Sequence, residues 1–359
     1  MYSNPISAPK SKYIRSLEWL GERRPYPVTE VKGDTFPMTW ADDDNIYAAC
    51  GDPLWHDKRD GLDVRKLSGY APDYVTTSVN RMYDYTGMGG KGPKPSGMIC
   101  IEGVLYLAFQ NLLGDRPAAH GECQNGCDSQ IVCSHDHGET WEPDIKTLSE
   151  PMFPGHMFGG PAFINRGKND ENIFDDGCVY AISGDQWNNG FDVRLGRVPY
   201  KEICNKNSWE FLCGVKNGEP EWSRELDSMV SLLHEPHCIG LPEMAYVKEI
   251  DHYLLLTWHF HDVASRMHLE GSSLFIFEAP NPWGPFSLVH YEPMWETQEY
   301  NPYNPRLPLK WIKPIPGGIT GWLQFSGNWG DSSGNPMFGD IAPTPYYRSN
   351  IREFKLTLY

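Results

Sequence analysis

The chain has 359 residues with 35 glycines, 30 prolines and 13% aromatic residues, a composition that favours many short strands and turns over long helices. Its formal net charge of −16 argues against a nucleic-acid partner, whose phosphates want basic patches, and against an anionic membrane surface. No apolar run approaches the length of a membrane span, and a neutral or cationic partner suits the charge better.

Residues 1–33 read as a lead-in. The opening M-Y-S-N-P-I-S-A-P-K-S-K has no apolar core and so no signal peptide, and a secreted protein whose leader has been removed is expected ahead of a cytoplasmic one. Tyr13 to Trp19 carries a strand pattern, followed by the proline-rich E-R-R-P-Y-P-V.

The stretch from Asp34 to Asp52 reads as two short strands, Thr35 to Trp40 and Ile46 to Cys50, joined by a polar turn at Asp42, Asp43, Asp44 and Asn45. With the turn centred on Asp43, Asp34 and Asp52 stand opposite each other across the ladder. Directly opposed β-carbons lie about 4.5–5.5 Å apart, so two like charges there repel. An ordinary strand pair avoids this, which makes Asp34 and Asp52 candidates for acid and base.

A polar loop follows at Trp55 to Asp60, then a strand near Val75 to Val79 and a Gly/Pro-rich loop, M-G-G-K-G-P-K-P-S-G, over residues 88–97. The second hairpin turns at Glu102-Gly103. Next comes Ser134-x-Asp136-x-Gly138-x-x-Trp141, the Asp-box pattern, in which Asp accepts turn N–H groups, Gly takes a positive φ and Trp staples the hairpin. Its role is read as structural. Cys123, Cys127 and Cys133 suit either a local disulfide or plain thiols, and no second paired set stands at zinc-ligand spacing.

The third hairpin turns at Asp175-Asp176-Gly177, the fourth near Glu249 to Asp251, and the fifth follows P-L-K-W-I. Hairpins thus begin near residues 34, 97, 160, 243 and 306, and recurrence of one unit at intervals of about 60 to 80 residues is the mark of a propeller. The expected fold is a single all-β domain over residues 1–359. It is a five-bladed β-propeller of four-stranded antiparallel blades, the N-terminal strand closing the last blade beside Arg352 to Leu358.

In such a fold the polar residues at the mouths of the innermost strands converge on one funnel. The return strands end at Asp52, Asn111, Asp185, His259 and Asn328. Asp34, Asp52 and Glu243 are the catalytic candidates, Glu243 because a Glu is unexpected at the head of an apolar strand. Asp185, Asn111, His237, His259 and Asn328 are candidates for substrate binding. So are Trp258, Trp187 and Tyr303, as platforms for sugar rings, with Trp55, Phe191, Tyr300 and Trp329 beside them. His234, His237, His259 and His261 could serve a metal or a substrate, and substrate hydrogen bonding or packing is favoured. No cofactor is expected, although a structural cation in the funnel is possible chemistry for so many carboxylates. Arg194, two residues from Asp192, reads as half of a surface or interblade pair.

The chain resembles the propeller family designated domain of unknown function 4185, over residues from about 30 to the C-terminus. The resemblance rests on D-T-F-x-x-T-W-x-D-D-x-N-I-Y-x-x-x-G-D, on W-E-F-L-C-G-V-K-N-G-E-P-E-W-S (209–223) and on Y-R-S-N-I-R-E-F-K-L-T-L. It implies kinship with a glycoside hydrolase branch of endo-D-arabinanases. In that branch two aspartates of the first blade are implicated, and Asp34 and Asp52 are the matching positions. The expected activity is hydrolysis of a poly- or oligosaccharide, D-arabinan first among substrates. A polysaccharide lyase on the same fold, and a glycan-binding propeller without catalysis, are the alternatives.

Overall fold

The computed structural model describes residues 5–25, 32–54, 62–82, 91–114, 116–120, 124–172, 176–261, 270–328 and 345–359. Trp55, Trp329, Cys123 and Asp175 lie outside these.

The first strand, β1 (Ile14–Pro25), is set apart in sequence from its sheet. Blade one holds β2 (Lys32–Asp34), β3 (Met38–Trp40), β4 (Ile46–Leu54), β5 (Leu62–Ser68) and β6 (Val75–Met82). Blade two holds β7 (Lys94–Ile101), β8 (Val104–Gln110) and β9 (Gln130–Ser134). Blade three is the largest: β10 (Gly160–Phe163), β11 (Cys178–Gly184), β12 (Gly190–Pro199), β13 (Glu210–Lys216), β14 (Glu219–Ser223) and β15 (Leu233–Ile239). Blade four holds β16 (Glu243–Val247), β17 (His252–Phe260), β18 (Ser272–Ala279) and β19 (Ser287–Glu292). Blade five holds β20 (Tyr303–Arg306), β21 (Lys313–Ile315), β22 (Gly318–Ser326) and β23 (Ser349–Leu358), and β1 completes it by pairing antiparallel with β23.

These five antiparallel sheets form a ring, a five-bladed β-propeller. Drawing the first strand of the chain onto the last blade joins the two ends of the ring. Only blade four is a plain four-stranded sheet among the described residues. Blade two has three strands, extended by a bridge between Cys133 and Glu142. The opening strand of each sheet lies innermost: β7 touches β3, β4 and β10, and β10 touches β16. Backbones meet closely there. A Cβ on Gly97 would sit 2.5 Å from the Pro161 carbonyl oxygen, so only glycine fits at that crossing of blades two and three.

Between blades the sheets bury apolar residues from both faces. Leu254, Leu256, Trp258, Leu274 and Ile276 of blade four pack with Ile319, Leu323, Phe325 and Phe354 of blade five. Central strands buried on both faces read as continuous apolar runs, as β17 and β18 do.

The turn after β9 is closed as its residues dictate. Asp136 accepts the Thr140 N–H at 2.8 Å and the Thr140 hydroxyl at 2.6 Å, Gly138 takes φ +94°, and Trp141 is buried. The eight described cysteines are all free thiols, Cys127 and Cys133 among them.

Two local readings change. The expected strand from Thr35 to Trp40 is shortened, because Thr35 (φ 64°) and Phe36 (φ 43°) leave the extended region; Met38–Trp40 remains as β3, and β2 lies before it at Lys32–Asp34. The expected loop over 88–97 ends early, since β7 begins at Lys94.

Candidate active site

The Asp43 turn is centred where the sequence implies, for Met38 pairs Ala48 and Trp40 pairs Ile46. The register then slips by one. Asp34 pairs Gly51 rather than Asp52, and Lys32 pairs Leu54. The extra residue is Asp52 itself, at φ 45°, a bulge that turns its side chain without the usual alternation. Asp34 and Asp52 are therefore neighbours through a bulge, not a directly opposed pair.

Both are buried, at 7% and 6% exposure. Lys94, at the head of β7, brings its ammonium to 3.1 Å from Asp52 Oδ1 and is itself only 2% exposed. Tyr303 donates its hydroxyl to Asp34 Oδ2 at 3.0 Å, and Tyr347 donates to the Asp52 carbonyl at 3.2 Å. Burial pushes the Asp34 carboxyl well above its usual range, and the charge of Asp52 pushes it further; the Tyr303 hydrogen bond and Lys94 pull the other way. Burial and the same two aspartates raise the Tyr303 and Tyr347 hydroxyls far above theirs. Asp34 thus has the environment of a carboxyl group whose proton affinity is raised.

Glu243 heads β16 but is committed elsewhere. Its Oε2 lies 3.1 Å from Arg306 Nη1, and its Oε1 accepts the Leu307 N–H at 2.6 Å. Arg306, fully buried, also donates Nε–H to the Thr35 carbonyl at 2.9 Å. Glu243 therefore ties blade four to blades five and one, and lines a pocket with Thr39, Trp40, Asn165 and Leu307. None of its described hydrogen bonds reaches Asp34 or Asp52.

The histidines form a second cluster. Asp185 receives His120 Nε2 at 2.7 Å and the Phe191 N–H at 3.0 Å, while the His120 ring stacks on Phe191 at 3.8 Å. His237 meets the same Phe191 edge-on at 4.6 Å. His234 and Arg194 both engage Asp192, at 2.7 and 3.0 Å. His259 donates Nδ1–H to the His237 carbonyl (3.0 Å), and both His259 and His261 turn Nε2 toward the Ser273 hydroxyl at 3.1 and 2.9 Å. Burial lowers His259 to about 4, so it is neutral at physiological pH.

The tryptophans correct the reading of exposed stacking platforms. Trp258 is fully buried, its indole N–H on Asn304 Oδ1, and its ring packs with Trp187, Phe260 and Tyr303. Asn111 is fully buried as well, accepting the Cys127 N–H, and Asn328 donates to the Glu299 carbonyl. These side chains are committed to packing and to hydrogen bonds within the protein.

Among the described residues, the one grouping with metal-ligand spacing is Asp42, Asp43 and His137 at the exposed β3–β4 turn, away from the funnel mouth. His137 Nε2 there lies 2.8 Å from Asp42, and Asp43 is engaged by Asn45, Tyr47 and Lys66.

Sequence reasoning missed Lys94, Tyr347, Arg306 and His120. Lys94 stands at the head of the second inner strand, the position corresponding to Glu243 in blade four. That equivalence was the available signal.

No family model matches the chain, and no curated protein sequence matches it. In backbone it is similar to a presumed hydrolase from Bacteroides ovatus, at 13% identity and a TM-score of 0.52 over 93% of this chain and 87% of that one. It is also similar to an α-L-arabinofuranosidase from Podospora anserina crystallised with cellotriose (10% identity, TM-score 0.48, 97% and 98%). A further likeness is to the GH43_1 enzyme from Xanthomonas citri (14%, 0.44, 93% and 90%). At such identities the likeness is one of fold.

Proposed function

We propose that the protein is a glycoside hydrolase acting on a poly- or oligosaccharide, with Asp34 as general acid and Asp52 as base or nucleophile. The observation that carries this is the burial of both carboxylates together, with Lys94 against Asp52 and Asp34 held toward its protonated form. Two carboxyl groups whose surroundings separate their protonation states are the equipment of glycosidic cleavage. D-Arabinan is the first substrate class to try, on the strength of the resemblance carried by D34-T-F-x-x-T-W-x-D-D-x-N-I-Y-x-x-x-G-D.

In this mechanism Asp34 gives its proton to the leaving glycosidic oxygen as the bond from the anomeric carbon breaks. Asp52, with the Lys94 ammonium as countercharge, either takes a proton from the attacking water or itself bonds the anomeric carbon before water releases the sugar. Carboxyl separations of about 5–5.5 Å accompany retention and about 6.5–9.5 Å inversion. The anomeric configuration of the first product, read by NMR, distinguishes the two courses.

The test is a glycan panel with product analysis on wild type, Asp34→Asn and Asp52→Asn. Wild type should release reducing ends from one class of glycan, and each variant should lose about 10²–10⁴-fold in kcat/KM. Full activity in both variants would sink the assignment. The hydrogen-bonded His120–Asp185 pair gives a lyase reading its base, and an unsaturated product absorbing in the ultraviolet would decide for that chemistry.

A further inference from the structure

With Trp187 and Trp258 packed away, three aromatic rings around Asp185 remain open to solvent. Phe191 is half-buried at the start of β12, His237 is exposed on β15, and the His120 side chain keeps 30% of its surface open. The His120 ring lies on Phe191 with centroids 3.8 Å apart and planes 16° from parallel, and His237 meets Phe191 edge-on at 4.6 Å.

His120 is anchored at three points. Its backbone N–H goes to Gln186 Oε1, its Nε2 to Asp185 Oδ2 at 2.7 Å, and one ring face to Phe191. Asp185 is 4% exposed and is held in turn by the Phe191 N–H, which donates to its Oδ1 at 3.0 Å. Room for that carboxylate exists because residue 190 is glycine: a Cβ there would stand 2.2 Å from Asp185 Oδ1. Ordering a part-exposed ring costs conformational entropy that these anchors offset, and a ring ordered in advance loses less on meeting a ligand.

Holding the imidazole in this way selects what it offers. A carboxylate accepts, so Nε2 carries the hydrogen, and in the neutral ring Nδ1 presents its lone pair. Among the described residues nothing binds His120 Nδ1. One fixed acceptor and an aromatic surface thus stand side by side. A sugar ring has the matching parts, hydroxyl donors around its edge and C–H groups across its face.

The cluster also has a place relative to the proposed chemistry. Two residues beyond Asp185, the Trp187 ring lies 5.5 Å from that of Tyr303, whose hydroxyl holds Asp34 at 3.0 Å. Asp185 and Asp192 make the surroundings acidic, and Arg194 is taken up by Asp192 at 3.0 Å. That balance favours a neutral sugar over a uronate.

We propose that His120, Phe191 and His237 form a subsite for a neutral sugar unit of the glycan. His120 Nδ1 accepts a hydroxyl hydrogen of that unit, and the aromatic rings meet its C–H face. Asp185 is a positioning residue that fixes the His120 tautomer without touching the sugar. The inference rests on the carbohydrate reading given above, and it deepens that reading by naming an uncharged sugar and the group that recognises it.

The test measures binding to the full chain carrying Asp52→Asn, a background chosen to keep the glycan whole. The probes are D-arabinotetraose, xylotetraose and cellotetraose, with tetragalacturonate as the acidic control. At least one neutral tetrasaccharide should bind and shift the His120 ring-nitrogen resonances in NMR, and the uronate should bind about tenfold more weakly or not at all. His120→Gln, whose amide reaches Asp185 as Nε2 does but puts nothing at Nδ1, should weaken that sugar about fivefold or more. His120→Asn, whose amide falls near Nδ1, should bind more tightly than His120→Gln, and it covers the case in which the glutamine variant fails to fold. Phe191→Leu should weaken binding about threefold or more. In Asp185→Asn the Phe191 N–H takes the amide oxygen, so the amide NH₂ faces His120 Nε2 and the ring hydrogen should move to Nδ1. An unchanged tautomer there would overturn the positioning role. No binding by any neutral probe overturns the inference, as does uronate binding as tight as the neutral sugars, or equal binding with and without His120→Gln and Phe191→Leu. Binding that depends on His120, with no glycan hydrolysed by wild type, would fault the hydrolase assignment and not this one. Hydrolysis that depends on Asp34 and Asp52, with binding indifferent to His120, would do the reverse.

Discussion

Replacing Glu243 by Gln separates a catalytic carboxylate from a structural one. Glu243 Oε2 pairs with Arg306 Nη1 at 3.1 Å and Oε1 accepts the Leu307 N–H at 2.6 Å, in a site where Arg306 is wholly buried. A glutamine amide offers one oxygen for these two donors. Turned toward Leu307 it presents its NH₂ to the guanidinium; turned toward Arg306 it leaves the buried Leu307 N–H unsatisfied. Either way the arginine charge loses its counterion in a dry site, and breaking a buried pair in this manner costs about 3–5 kcal/mol. Against a total stability on the order of 5–15 kcal/mol, that is readily measured by urea denaturation followed through tryptophan fluorescence. Arg306→Met in the same background should recover part of the loss, short of all of it because the Thr35 carbonyl then loses the Arg306 Nε–H. Glycan turnover by Glu243→Gln, assayed well below its melting midpoint, should stay within about threefold of wild type, whereas loss of a general acid costs about 10²–10⁴-fold. A stable but inactive Glu243→Gln would refute the structural assignment and make Glu243 the proton donor.

If Asp34 is the proposed general acid, its proton affinity, raised by burial and by Asp52, should set the alkaline limb of the rate profile, with activity lost as pH rises through that raised value. Lys94 opposes the shift, so Lys94→Met should move the profile to higher pH and lower kcat, and an unmoved profile would exclude Lys94 from the site. Asp136→Ala removes three hydrogen bonds at the turn after β9 and should cost about 1–2 kcal/mol in urea denaturation without changing turnover. His259, held neutral by burial with its value lowered to about 4, binds fewer protons folded than unfolded below about pH 6.5. Stability should therefore fall as pH drops from about 6.5 toward 4, and a His259→Gln variant whose pH–stability curve is as steep as wild type would contradict this.

The repeat of hairpins was legible because each inner strand pairs locally with the next, and local pairing leaves a pattern in sequence. The closing of blade five by β1 was legible too, as an apolar strand left without a hairpin partner. The one-residue slip at Asp34 was not. It depends on Thr35, Phe36 and Asp52 taking positive φ, which non-glycine residues seldom do and which no turn motif announced. Lys94 was hidden between Pro93 and Pro95 in a stretch whose composition says loop. Trp187 and Trp258 stand near strand ends, where exposure and burial look alike in sequence. Trp187 is covered by Trp258, Phe260 and Tyr303, and Trp258 by Trp187 and Tyr303, all arriving from elsewhere in the chain. Glu243 stood out correctly as an anomaly, but its partner Arg306 lies 63 residues away in sequence, so the anomaly could be seen and not interpreted.

Counting charge around the funnel distinguishes the two acidic sites. Glu243 and Arg306 meet one to one, each the other's countercharge, although burial still raises the Glu243 carboxyl. Asp34 and Asp52 stand with the Lys94 ammonium between their influences, two carboxyl groups beside one cation among the described contacts. In a buried site the simplest way to remove the remaining negative charge is to bind a proton, and burial with the charge of Asp52 raises the proton affinity of Asp34 against the pull of the Tyr303 hydrogen bond and Lys94. In the proposed mechanism that proton is the one Asp34 gives to a substrate oxygen. The bulge at Asp52 is what allows the arrangement, since it brings the second acid beside the first without forcing the two into direct opposition across the ladder.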